Sequence, residues 1–142
     1  MDYMKQIEKM VNGEIKKIEN AAERAVKGMV VDLAGTTPFD TGYHAQNWQV
    51  GKKNDGGVIG SYNKYKKRDY QDVLDKVSAG ADGYHLDIMN DENICLFNNA
   101  EFIEDLEKGV PTAGTGPNAN PGFYKAIMNT WEDRFNYEMK KS

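Results

Sequence analysis

The side chains that could do chemistry are few and scattered. His44 stands near Asp40, and His85 stands two residues before Asp87. On a strand, residues two apart share a face, so His85 and Asp87 could offer two ligands to one cation. A mononuclear site needs a third, and no HxH or HxxxH spacing supplies it. Cys95 could serve as a nucleophile with a histidine as base. It lies between Ile94 and Leu96, which is the setting expected of a buried, inert thiol. No GxSxG, GxxxxGK[ST] or helix-opening GxGxxG is present. Gly114-Thr115-Gly116-Pro117 lacks the lysine and hydroxyl residue that a phosphate loop requires. Lys64, Lys66, Lys67 and Arg68, set among Tyr62, Tyr65 and Tyr70, form a basic–aromatic patch that could touch phosphates. Asp69, Asp72 and Asp75 dilute it, and a solvated helix end is the competing reading. No catalytic, metal or cofactor site is therefore expected.

The elements that would position a site are clearer. The chain has 142 residues, 39% hydrophobic and 28% charged, with net charge −4. That composition suits a folded domain and disfavours a general nucleic-acid or membrane-surface binder. No apolar run approaches the roughly 18 residues that cross a bilayer. The first residues lack the apolar core of a secretory leader, and a single cysteine excludes an internal disulfide, so an intracellular folding environment is expected.

From Asp2 to about Leu33, apolar residues recur in steps of three and four: Met4, Ile7, Met10, Val11, Ile15, Ile18, Ala22, Ala25, Val26, Met29, Val30 and Leu33. This periodicity predicts one amphipathic helix of about 45–50 Å. A chain of this size folds to a globule roughly 30 Å across, so part of the stripe must face something else. Subunit contact is one solution, and a kink near Gly13 or Gly28, or a frayed first turn, is the other. Gly35 is the expected stop. A stiff connector follows. Pro38 holds Thr37 extended, Asp40 can cap its own turn, Thr41 continues it, and Gly42 can take a positive φ.

Alternation over Tyr43 to Lys53 predicts a strand, and Val58-Ile59 a short return after the Asn54–Gly57 turn. Residues 62–79 take a helical pattern. Tyr84 to Met89 and Ile94 to Phe97 read as an antiparallel hairpin, followed by a short helix through Phe102, Ile103 and Leu106. Residues 110–122 hold three of the four prolines and read as a loop. A closing helix from Pro121 to Met139 carries Phe123, Ile127, Trp131, Phe135 and Met139 on one stripe. The expected fold is α+β, a small antiparallel β-sheet packed against the long N-terminal helix and the C-terminal helix. Trp48, Phe97 and Trp131 are its expected core anchors.

Four landmarks then carry a resemblance. Thr37-Pro38-Phe39-Asp40-Thr41-Gly42 follows a long helix, and its glycine stands six residues before Trp48. Asn98-Asn99-Ala100-Glu101-Phe102-Ile103-Glu104-Asp105-Leu106-Glu107-Lys108-Gly109 comes next, then Pro121-Gly122-Phe123 entering the last helix. This order resembles the TP-x-DTG…W pattern of the neck, or tail-completion (head–tail joining), family of tailed bacteriophages, over roughly residues 2–140. Residues 61–83 look like an insertion relative to compact members, and 109–120 like a flexible loop.

The resemblance implies a non-enzymatic virion protein that is made in the host cytoplasm. It would form a homo-oligomeric ring in the neck, between a portal-side connector and the tail terminator. DNA would pass through the lumen without specific binding, and no cofactor or membrane is implied. Interface candidates are Met4, Ile7, Met10, Val11 and Ile18 on the helix, with Val110, Pro111 and Pro117 in the loop. The alternative is a small DNA-binding or DNA-processing accessory using the 62–70 patch. A hydrolase built on His44 or His85 is a third, weaker reading.

Overall fold

The computed structural model describes residues 2–37, 42–51, 69–90, 93–100, 103, 108 and 122–141. The fold is α+β. A long helix α1 (Tyr3–Thr36) leads into a single 3-10 turn (Ala45–Asn47) and strand β1 (Trp48–Gly51). Helix α2 (Tyr70–Asp82), strand β2 (Cys95–Asn98), helix α3 (Phe123–Met128) and helix α4 (Trp131–Lys141) follow.

Helix α1 runs unbroken through both Gly13 and Gly28. The Asp2 carboxylate caps its start, accepting from the Lys5 amide at 3.2 Å. Gly35 does not end it. Thr37 does, donating its backbone N–H to the Leu33 carbonyl at 3.0 Å and its hydroxyl to the same oxygen at 2.6 Å. Gly35 has a different use. The Tyr70 hydroxyl donates to the Gly35 carbonyl at 2.8 Å, and a Cβ on Gly35 would sit 3.0 Å from that hydroxyl. The glycine leaves room for the start of α2.

The two strands form one antiparallel ladder, Trp48 opposite Asn98, Gln49 opposite Phe97, Val50 opposite Leu96 and Gly51 opposite Cys95. The expected strand over 43–53 is shorter than its alternation suggested. The Gln46 amide donates to the Gly42 carbonyl and the Asn47 side chain to the Tyr43 carbonyl, which winds these residues into a turn.

The expected 84–97 hairpin is not formed. β2 pairs with β1, while residues 84–87 carry no regular structure and 88–90 form a turn. The alternate amides that would have entered a ladder are taken by α1 instead. Leu86 N–H donates to Glu23 Oε1 at 2.8 Å and Ile88 N–H to Glu19 Oε2 at 3.0 Å. A carboxylate satisfies a backbone amide as well as a neighbouring strand does, and with a charge-assisted bond.

The core gathers Val26, Met29, Val30 and Leu33 of α1 with Trp48, Val77, Leu96, Phe123 and Ile127. Val73, Val77 and Ala81 of α2 are buried, so residues 70–82 help to build this core. The closing segment is two helices rather than one. The Thr130 hydroxyl donates to the Ile127 carbonyl at 2.6 Å and accepts from Arg134 Nε at 2.7 Å, and the helix breaks there. Phe123 and Ile127 are buried, but no residue of α4 is. Trp131 is thus not a core anchor. It lies half-buried against the edge of the core, stacked on Phe135 at 5.5 Å between ring centroids.

Candidate functional site

The connector has one end in view. Gly42 has φ +89°, a left-handed conformation that a side chain would strain. Pro38, Asp40 and Thr41 lie outside the described residues, as do Lys64, Lys66, Lys67, Arg68, Val110, Pro111 and Pro117. The two flanks of the connector are tied together. Trp48 Nε1 donates to Thr37 Oγ1 at 2.6 Å, and that hydroxyl in turn donates to Leu33. Trp48 is 5% exposed and Thr37 3%. A buried relay therefore joins the end of α1 to the first residue of β1, with the indole N–H and the threonine hydroxyl satisfying each other. The TP…W spacing marks both ends of this relay, but nothing in the residue types alone reveals that they bond.

Trp48 also forms one wall of an apolar cleft of about 470 Å³. Its ring stacks on Tyr124 at 5.7 Å and meets Phe123 edge-on at 6.2 Å, and Leu96, Phe97, Ile103 and Met128 are among the other lining residues. Phe97 is 8% exposed. Cys95 borders the cleft and is half-buried rather than sealed in the core, since it sits at the end of the β2 ladder opposite Gly51.

Among the described residues the histidines do not converge with other metal ligands. His85 is 78% exposed at its side chain, with Nδ1 4.0 Å from Glu23 Oε1. Asp87, which does not share a strand face with it, accepts from the Met89 amide at 3.2 Å and the Asn90 side chain at 2.6 Å, as the head of a turn. Among the described residues no group of three or more His, Cys, Asp or Glu could hold a metal ion. No helix among them is long and apolar enough to cross a membrane.

The most distinctive surface belongs to α1. Its C-terminal half is clasped on two sides. Arg24 pairs with Glu138 at 3.0 Å and Asp32 with Arg134 at 2.5 Å, so α4 runs antiparallel along it. Lys27 pairs with Asp82 at the end of α2. Buried residues begin at Ala21, whereas every residue from 2 to 14 is exposed. Tyr3, Met4, Ile7, Met10 and Val11 are 70%, 67%, 52%, 72% and 51% exposed, and Ile18 is intermediate. The first 15 or so residues of α1 thus project about 22 Å beyond the packed body, at 1.5 Å per residue.

The exposed and buried halves share one stripe. Met4, Ile15 and Val26 fall eleven residues apart, as do Ile7, Ile18 and Met29, and Val11, Ala22 and Leu33. Steps of 3, 4 and 4 repeat without exception from Met4 to Leu33. An eleven-residue repeat is about 3.67 residues per turn, so the stripe drifts only about 20° over three turns. Whatever covers the projecting half sits in line with the elements that cover the buried half. No family model, curated protein or solved structure matches the chain.

Proposed function

We propose that the protein is a structural component of a tailed-phage neck. Copies associate into a ring that joins the head-side connector to the tail terminator and leaves a lumen for DNA. The reading rests on the TP-x-DTG…W landmark order together with one observation, the uncovered apolar stripe on the projecting half of α1. Apolar patches of this kind mark association surfaces, and closed rings are built from repeated contacts between identical chains. The landmark residues Thr37 and Trp48 supply a stiff joint between the projecting helix and the sheet. A net charge of −4 is compatible with a lumen through which DNA slides without sticking.

The role calls for no catalytic residue and no cofactor. The test is genetic complementation. Deleting the gene from its phage should leave filled heads and finished tails unjoined, and adding the purified protein should restore joined particles by electron microscopy. Normal virions from the deletion would overturn the proposal.

A further inference from the structure

We infer that the projecting half of α1 pairs with the same segment of a second copy, antiparallel, about a two-fold axis at Val11. The register follows from the stripe itself. Turning one helix end for end about residue 11 sets Met4 against Ile18, Ile7 against Ile15 and Val11 against Val11. Every exposed core position of the stripe then meets an apolar residue, over an overlap of about 22 Å.

The charges fit the same arrangement. Residues 2–20 carry Lys5, Lys9, Lys16 and Lys17 against Asp2, Glu8, Glu14 and Glu19, so the segment is neutral and self-association meets no net repulsion. In the antiparallel register Glu8 approaches Lys16 of the second copy, and Lys5 approaches its Glu19, each offset by about 3 Å along the axis and on the same flank of the stripe; the like-charged pairs that stand level, Glu8 with Glu14 and Lys5 with Lys17, lie on opposite flanks. Lys5, Glu8 and Lys16 make no ion pair among the described residues. Glu19 uses one oxygen on the Ile88 amide and keeps the other for the incoming lysine. The buried residues of α1 begin at Ala21, so in the antiparallel pair the two packed bodies lie at opposite ends.

The overlap is short, which makes the dimer reversible. It shields the stripe in the free protein and must open before the same stripe can serve a ring. The inference itself does not depend on the neck reading. It is tested on purified protein, whereas joining is tested on particles, so either can fail alone.

Single-cysteine variants in a Cys95→Ser background decide it. Under mild oxidation, Val11→Cys should give a covalent dimer on a non-reducing gel. Met4→Cys should stay monomeric, and Met4→Cys with Ile18→Cys in one chain should cross-link again. A Met4→Cys dimer would mean parallel pairing, and the absence of a Val11→Cys dimer in a chain with native circular dichroism would mean no such pair; either overturns the inference. Charge reversal gives a second reading by sedimentation equilibrium. Glu8→Lys or Lys16→Glu alone should weaken association several-fold, and the two together in one chain should restore it. Failure of the double variant to recover would also count against this register.

Discussion

The two halves of α1 make a natural experiment, because one stripe runs through both and only one half is covered. From Ala21 onward the stripe meets α2, α3, α4 and the sheet, and Val26, Met29, Val30 and Leu33 are 3% exposed or less. Over Met4–Val11, residues of the same types at the same spacing lie open to solvent. Periodicity fixes which face of a helix is apolar. It does not fix whether anything is there to cover it, which depends on how far the other elements reach.

The largest effect should come from the covered half. Leu33→Ala removes a side chain with no exposed surface and should cost about 2–5 kcal/mol, read by chemical denaturation. A cost below 1 kcal/mol would mean that this end of α1 is less tightly packed than it looks. Next comes the relay at the end of the helix. Thr37→Val leaves the Trp48 indole N–H buried and unpaired, and should cost about 1–3 kcal/mol with a change in tryptophan fluorescence.

The projecting half should respond in the other direction to Gly13→Ala. A Cβ there meets nothing within 4 Å, so alanine should stabilise the helix by about 0.5–1 kcal/mol and raise its helicity. The smallest effect on folding is expected from Ile7→Ala. It should change stability by less than about 0.5 kcal/mol at dilute concentration while weakening self-association. A large loss of monomer stability from Ile7→Ala would erase the distinction between the halves.

Much of this arrangement was legible in the sequence, and the parts that were not have definite causes. The long helix, its stripe and its overhang came from periodicity, which is strong over thirty residues. The α+β class followed from strands set between helices. The sequence suggests an 84–97 hairpin that does not form, because alternation in His85, Leu86, Asp87 and Ile88 looks the same whether the amides find a strand or a carboxylate. Glu19 and Glu23, sixty-odd residues away, made that choice. The closing segment reads as one helix because Phe123, Ile127, Trp131, Phe135 and Met139 keep step, while at the break the backbone N–H and the hydroxyl of Thr130 both turn to the Ile127 carbonyl. Gly35 looks like a helix stop, but the helix runs on to Thr36 and the missing side chain admits the Tyr70 hydroxyl. The aromatic cleft beside Trp48 leaves no linear trace, since its walls come from β1, β2, α3 and the residues between them.

One continuous helix with one anchored end also has a thermodynamic consequence. A free peptide of about 15 residues is a poor helix in water, because its first turn must be organised before any hydrogen bond rewards it. Here that first turn already exists inside the body, and the outer residues only extend it. Any unwinding of the tip is then expected to start at Asp2 and to stop at Ala21, where packing begins. Severed near Gly13, the same tip would be left as a disordered fragment, and the remainder would keep its fold.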